Sequence, residues 1–569
     1  MSEKSRRLVL SVVCAAATAS ALWIESTAAN AQSAPAFPEA PQPGRERPIP
    51  EPGPPVQFDF SIPAPRRSPV PRAVDEVPFA VNDITITGAT VYSAEELRPL
   101  TVPVIGKTVH LSDIIAVADA IEAKYRGDGY LLTRAFVPAQ RVNNGVFHIE
   151  IVEGYIGAVS VEGGDEDERA SVEKFMVPVL ASRPLKLAVI ETALLRANEV
   201  PGNFASGLLR PSPVEQGASD LVVTLSPLPT TNMLSIDNRG SESTGRWTIE
   251  ADTAIHSPLG DNGEIFLTGT IDPSTTDLNR RYSILGKYVE PIGSQGMTAS
   301  LSMQDAHGQP GGSIAQLALV TNTVTGGLRV NYPLIATREN KLAIDSGFTV
   351  QSSDITALGQ AYSHDEWRVA DLAVTYQQTG FLSGTSDLSL DVSKGLEIFG
   401  ASTPGSSNLS RPGGRPDFVK LSTVLRRNQE IYDAFNLAVV GIGQYAFSPL
   451  LLGEQMNYGG AQVGRGYDPA SLTGDNGMGG DIELRYDIHA ERWRLDLIQP
   501  YVFYDVAAIW SNLGSIQQNK LESAGLGVRT VIIKNESIGL ELARTFIPLP
   551  TNENNERDWR IFVNASSRF

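Results

Sequence analysis

"PYVFYDVAAIW", Pro500 to Trp510, alternates without a break. Val502, Tyr504, Val506, Ala508 and Trp510 share one apolar face, and Phe503 and Asp505 take the other. A period of two is the signature of a strand. Apolar on one side, with a carboxylate on the other, is the pattern of a strand that crosses a membrane within a barrel. A soluble β-sandwich alternates as well, so the fold depends on what surrounds this stretch.

The same texture runs from Met233 to the last residue. "WTIEADTAI" sets Trp247, Ile249, Ala251 and Ile255 against Thr248, Glu250 and Asp252. "DLSLDVS" sets Leu388, Leu390 and Val392 against Ser389, Asp391 and Ser393. Turn-forming stretches recur at hairpin intervals: "SPLGDNG" from Ser257, "EPIGSQG" from Glu290 and "YPLIATREN" from Tyr332. They read as short turns on one side, with longer Gly-, Ser- and Asn-rich connections on the other. About 340 residues hold about sixteen strands at roughly 21 residues each, connections included. The chain ends "DWRIFVNASSRF", where Trp559, Ile561, Val563, Ala565 and Ser567 alternate with Arg560, Asn564, Ser566 and Arg568, and Phe569 closes the chain. No stretch of the mature chain offers the roughly twenty apolar residues of a membrane-spanning helix.

The other end of the chain fixes the compartment. Lys4, Arg6 and Arg7 precede an apolar run from Leu8 to Ile24 and the site Ala29-Asn30-Ala31. This is the arrangement of a cleaved secretory leader, residues 1–31. Cys14, the only cysteine, lies within it, and Val13 stands where a lipoprotein site wants a small residue. The mature chain thus has no thiol for disulfides or metal ligation. Cleavage removes three positive and two negative charges and takes the formal balance from −18 to −19. That acidity argues against a nucleic-acid partner. Residues 32–78 are proline-rich, with "PEAPQPGRERPIPEPGPP" and "PAPRRSPVPRA", and read as an extended or disordered periplasmic linker.

Two similar units follow, over 79–154 and 155–228. In the first, "VNDITITG" alternates like a strand, and Ser93 with Glu96 has capping-box spacing. "LSDIIAVADAIEAKYRGDG" then places Ile114, Ala118, Ile121 and Tyr125 on one helical face. "YLLTRAFVPAQRV" and "VFHIEIVEG" read as a hairpin turning at Asn144-Gly145. The second unit repeats the β-α-α-β-β order in "IGAVSVEGG", "ERASVEKFMVPVL", "LAVIETALLRANEVPG" and "ASGLLRPSPVEQGASDLVVTLSPL". These units resemble tandem POTRA domains, and "GYLLTRAFVPAQRVNNGVFHIEIVEGYIGAVSVEG" is similar to the first of the pair in two-partner secretion transporters of the outer membrane. That family lies within the BamA-type superfamily of POTRA modules followed by a barrel. The resemblance implies that the modules bind an exported polypeptide, partly by adding a strand to a sheet edge.

The barrel carries its share of the resemblance. "SIDNRGSESTGRW", Ser235 to Trp247, is similar to the family's opening barrel strand. "GGAQVGRGYDPASLTGDNG", Gly459 to Gly477, resembles its long sixth extracellular loop, which folds back into the pore. The match covers Gly459, Gly460, the tip Arg465-Gly466-Tyr467, Leu472, Gly474, Asp475 and Gly477. The family's valine before the arginine is Gly464 here, which leaves the backbone of the tip open. An arginine inside a barrel needs a carboxylate, and the resemblance implies a Phe-x-Asp partner on a later strand, matched by Phe503 and Asp505. The terminal strand, through Trp559, Ile561, Val563 and Phe569, resembles the signal read by the barrel insertion machinery.

The expected architecture is therefore a membrane β-barrel over 229–569, with two α+β modules before it and an in-folding loop at 459–477. The six histidines, His110, His148, His256, His307, His364 and His489, stand in no metal-ligand spacing and beside no candidate nucleophile. No Gly-rich phosphate loop follows a strand. The expectation is a pore without catalysis, nucleotide, metal or other cofactor. It would export an unfolded adhesin- or cytolysin-like exoprotein bearing an N-terminal secretion domain, and it would contact outer-membrane lipids. A BamA-type insertase has the same loop and barrel but usually more modules, and a small-solute porin or receptor leaves the modules unexplained.

Overall fold

The computed structural model describes residues 60–61, 77–198, 202–215, 217–241, 243–258, 263–273, 281–293, 295–490, 495–514, 519–532, 535–548 and 559–569. The leader over 1–31 and nearly all of the linker over 32–78 lie outside the described residues. Within the linker, Phe60–Ser61 forms a short strand, β1.

The first module runs β2 (Phe79–Ala80), β3 (Asp83–Thr87), α1 (Ala94–Thr101), β4 (Thr108–Val109), α2 (Leu111–Gly127), β5 (Arg134–Phe136) and β6 (Val146–Val152). At the start of α1, Ser93 Oγ accepts the Glu96 N–H at 3.3 Å, and the Glu96 carboxylate accepts the Ser93 N–H at 2.9 Å. Two of the helix's free N-terminal donors are satisfied this way. The apolar face of α2 is buried against Phe147, Ile149 and Ile151 of β6. β6 is central, parallel to β3 and antiparallel to β5.

The expected hairpin differs in detail. Asn144 and Gly145 do turn at φ +54° and +71°, but only three residues of β5 pair with β6. Pro138 has no N–H to continue the ladder. The Gln140 side chain takes over, accepting the His148 N–H at 2.8 Å and donating to the His148 carbonyl at 2.7 Å.

The second module comprises β7 (Tyr155–Gly163), α3 (Glu166–Ala181), α4 (Leu187–Asn198), β8 (Asn203–Pro211) and β9 (Ala218–Pro227). Its sheet order is β1-β8-β9-β7, with the linker strand β1 parallel to β8 at the edge. Ile156, Phe175, Met176, Val179, Leu194, Leu221 and Val223 form its core.

The barrel follows in sequence order. Its strands are β10 (Thr231–Asp237), β11 (Thr248–His256), β12 (Glu264–Ile271), β13 (Arg281–Ile292), β14 (Met297–Gly308), β15 (Val320–Ala336), β16 (Asn340–Ala357), β17 (Gln360–Thr379), β18 (Gly384–Gly395), β19 (Val419–Tyr432) and β20 (Phe435–Ala446). A two-stranded ribbon, β21 (Met456–Tyr458) with β22 (Leu472–Gly474), interrupts the succession. The wall resumes with β23 (Asn476–Tyr486), β24 (Ile488–Ala490), β25 (Leu495–Trp510), β26 (Lys520–Ile532), β27 (Glu536–Thr545) and β28 (Trp559–Arg568). With β24 continuing β23, this is a closed antiparallel barrel of sixteen strands.

Closure joins β10 to β28, from Met233↔Arg568 to Asp237↔Asn564. β10 ends earlier than the quoted opening stretch suggests. Beyond it the Asn238 side chain continues the seam, accepting the Val563 N–H at 2.7 Å and donating to the Ile561 carbonyl at 3.1 Å. Asn232 and Phe569 exchange backbone hydrogen bonds of 3.0 Å at the other end. The outer face is apolar: Leu301 and Met303 are 63% and 65% exposed, and Val502, Tyr504 and Val506 alternate with buried Tyr501, Phe503 and Asp505. A closed barrel leaves no lipid-facing backbone group unpaired.

The modules mark one end of the barrel. Ser257, after β11, donates to Glu168 of α3 at 3.2 Å. Arg338, after β15, lies 3.7 Å from Glu191 of α4. That second turn is shorter than expected, because β15 runs through Tyr332 to Ala336 across a register shift between Pro333 and Ile335. The connections 396–418 and 447–475, and residues 511–514 after β25, therefore lie at the opposite end. There β16 and β17 reach 18 and 20 residues, about twice what a tilted crossing needs.

Candidate functional site

Connection 447–475 does not stay outside the wall. Tyr458, Val463, Tyr467 and Leu472 are buried in one cluster with Ala507 and Ile509 of β25 and Leu521 of β26. Apolar side chains of the loop thus pack on inward-facing residues of the barrel. The course is tight. Gly459 has φ +109°, and a Cβ there would stand 2.2 Å from the Asp468 carbonyl oxygen. Gly460 donates its N–H to the Tyr467 carbonyl at 3.2 Å, closing the turn around the tip. Gly464 answers the question left by the missing valine: its φ of +91° is a conformation a β-branched residue does not adopt without strain.

Arg465, 5% exposed, is the centre of the tip. Asp505 holds it at four points. One carboxylate oxygen accepts the N–H groups of Gly464 and Arg465 at 3.0 and 2.7 Å and Nε at 3.3 Å, while the other accepts Nη2 at 3.0 Å. Phe503 lies beneath, its ring centroid 3.6 Å from the guanidinium carbon, a cation–π contact between two buried side chains. The expected Phe503–Asp505 pair and Arg465 are thus brought together.

Further partners escaped the sequence reading. Nη2 donates to Asp481 and Nη1 to Glu483 at 2.5 Å, and Glu541 lies 3.8 Å away. Glu483 is also bound by Arg529 at 2.6 and 3.0 Å and by Arg485 at 2.6 Å. Glu541 is bound by Arg239 at 3.0 Å and by the Tyr501 hydroxyl at 2.9 Å. Four carboxylates from β23, β25 and β27 thus face four guanidiniums. Only such mutual neutralisation makes so many buried charges tolerable. Asp481 and Glu483 alternate with outward Ile482 and Leu484 in "GGDIELRY", and that parity was available to read.

The rest of the tip is also held. Gly466 donates to Ser523 Oγ at 3.4 Å, and its own Cβ position is closed off by Thr545 and Ser523. The Tyr467 hydroxyl donates to the carbonyls of Glu522 and Ile547, at 2.9 and 2.7 Å. Asp468 receives Arg246 at 2.7 Å and Arg560 at 2.5 Å. Gly474 lies in β22 against Ile509 and Trp510, Asp475 follows it, and Gly477 is already within β23, paired with Gln444 and Ile509. Trp559, Ile561 and Val563 face outward on β28, apart from this site, and Phe569 is 71% exposed. The opposite face of β28 supplies Arg560 and the buried Phe562, over which Arg239 lies at 4.6 Å. Among the described residues no His, Cys, Asp and Glu grouping suits a metal ion.

Comparison with known proteins agrees in two segments. Residues 217–530 match the family model of the haemolysin secretion/activation protein ShlB/FhaC/HecB, and residues 79–154 match that of the POTRA domain, ShlB-type. The outer membrane transporter CdiB of Escherichia coli is 25% identical over 412 residues, covering 70% of this chain and 67% of the relative. The hemolysin transporter protein HpmB of Proteus mirabilis is 25% identical over 422 residues, covering 72% of this chain and 73% of the relative. In solved structures, CdiB from Escherichia coli has the same fold, with a TM-score of 0.66 and 21% identity over 88% of this chain and 93% of that one.

Proposed function

This chain belongs to the haemolysin secretion/activation family of the ShlB/FhaC/HecB type and is an outer-membrane transporter with periplasmic POTRA modules, and from that premise we propose how it exports its cargo. The cargo is an unfolded exoprotein, adhesin- or cytolysin-like, with an N-terminal secretion domain. It docks on the modules at 79–154 and 155–228 and passes through the barrel while loop 459–477 stays seated by Arg465. The single observation behind this reading is that Arg465, at the loop tip, is buried in the lumen on Asp505, Asp481 and Glu483.

The same proposal assigns the remaining groups. Phe503 and Asp505 are the wall partners of Arg465-Gly466-Tyr467. Gly459, Gly460, Gly474, Asp475 and Gly477 support the loop's course. Trp559, Ile561, Val563 and Phe569 are read by the barrel insertion machinery, and the outward apolar belt meets outer-membrane lipid. No nucleotide enters the scheme, and folding of the cargo outside draws export forward. The test is co-expression with a large exoprotein bearing an N-terminal secretion domain, sought first in the genes adjacent to this one. Export should require this chain, and deleting it should leave the exoprotein in the periplasm. Surface exoprotein in the deletion strain would overturn the proposal.

A further inference from the structure

The loop has a second buried charge pair, at its neck rather than its tip. Asp475 is fully buried, and donors from three connections meet on its carboxylate. From 447–475 come the Leu450 N–H at 2.9 Å and Gln455 Nε2 at 3.2 Å. From residues 511–514, after β25, come the Asn512 N–H at 2.7 Å and the Ser511 hydroxyl at 3.4 Å. From 396–418 comes Arg411, whose fork places Nη1 on one oxygen and Nη2 on the other at 3.1 Å. Arg411 also donates to the Leu450 carbonyl at 2.8 Å and to Ser511 at 2.7 Å. Burial alone would raise the Asp475 carboxyl, but Arg411 and the Asn512 and Leu450 N–H groups hold it below the usual carboxylate range.

Connection 396–418 is itself folded. It bonds back along the projecting part of β17, with Leu396 on Arg368 at 2.7 Å and Ser402 on Glu366 at 3.0 Å. Trp367, Leu409, Phe418, Leu450 and Leu451 form a buried core between this connection and the loop neck. The neck is therefore fixed to a rigid body at the cell-surface end, and a forked, buried arginine–carboxylate contact is the kind that sets geometry as well as energy. Asp475 directly precedes β23, the strand whose Asp481 and Glu483 hold the tip. The neck carboxylate and two of the tip's carboxylates thus lie on one short stretch of chain, 475–483.

We propose that Arg411 and Asp475 are a second positioning pair, which pins the outer neck of the pore loop to connection 396–418 so that the loop leaves the lumen only when both tip and neck release. The inference rests on the reading of 459–477 as a pore loop. Its test therefore uses current rather than cargo: the full-length protein in planar bilayers, with heat-modifiable gel mobility as the check on folding. Arg411→Met and Asp475→Asn should each raise the time spent in a large-conductance state by about tenfold or more, as loss of one partner of a buried pair requires. Arg411→Lys, which keeps the charge without the fork, should fall between them and wild type. Combining Arg411→Met with Arg465→Ala should multiply the two effects.

Wild-type current from folded Arg411→Met overturns the proposal, and so does a double variant no more open than Arg465→Ala. Should neither neutral variant insert, Arg411→Lys decides: current equal to wild type overturns the neck pair. A wild-type protein that conducts but secretes nothing would count against the secretion reading alone.

Discussion

Arg465 is not one half of a simple ion pair, and this changes what its removal should do. Arg465→Ala leaves Asp481 and Asp505 buried face to face without a cation, at a cost of about 3–5 kcal/mol. Glu483 keeps Arg529 and Arg485, and Glu541 keeps Arg239. Asp505→Ala leaves Arg465 still held by Asp481 and Glu483, but strands the N–H groups of Gly464 and Arg465, roughly 1–3 kcal/mol for each buried donor. The two costs are of similar size, so both single variants should lose most secretion, with both barrels heat-modifiable. Equal secretion by Arg465→Ala and wild type would remove the tip from the mechanism. Tyr467→Phe removes a hydroxyl shared between two carbonyls and should lower secretion less than Arg465→Ala does. The sequence carried this site unevenly. Arg465 and Asp505 are legible through a motif, whereas Glu541 is not, since nothing in "GLELAR" says which strand it faces across the lumen.

At the scale of elements, local chemistry was the readable part. The capping box at Ser93, the helical face through Tyr125 and the Asn144-Gly145 turn all follow from spacing and appear as read. What spacing could not supply is substitution of one group for another, as where the Gln140 amide replaces the backbone lost at Pro138. The folded surface connection 396–418 was equally hidden, because its core draws Trp367, Leu409 and Leu451 from three separate stretches. The first module also gives a pH prediction. Burial would raise the Glu153 carboxyl. The Thr90 hydroxyl, the Tyr125 hydroxyl at 2.7 Å and the N–H groups of Val91 and Thr90 at 3.0 and 2.7 Å outweigh it and hold the pKa below its ordinary value. A depressed carboxylate stabilises the fold above its unfolded pKa, about 4.3, and that stability is lost as pH falls through the folded value. Hydrogen-exchange protection factors over residues 79–154, corrected for the intrinsic rate at each pH, should fall on acidification below about pH 4.3, and Glu153→Gln should flatten the dependence. An unchanged slope in that variant would contradict the assignment.

At the scale of the molecule, modules and pore are separable. Every barrel ladder lies after residue 230, so deleting residues 79–154 should leave a heat-modifiable barrel that no longer exports. Export by such a protein would move cargo recognition elsewhere. The order of modules, barrel and loop was legible because helices and strands have their own periods and the loop carries a motif. The relation between loop and wall was legible only through the family motif that pairs Arg465 with Asp505, and its further partners were not, because side-chain parity says which face a residue takes and nothing about the height at which a loop meets it. That relation is the central claim, and a secretion cycle on Arg465→Ala, Asp505→Ala and the double variant tests it most directly. If the loop tip is seated on Asp505, the double variant should secrete more than the product of the two single losses, because the guanidinium–carboxylate contact is lost only once while only the N–H groups of Gly464 and residue 465 are stranded anew. Two effects that simply multiply would mean the residues act apart, and the loop would not be held where the wall carboxylates place it.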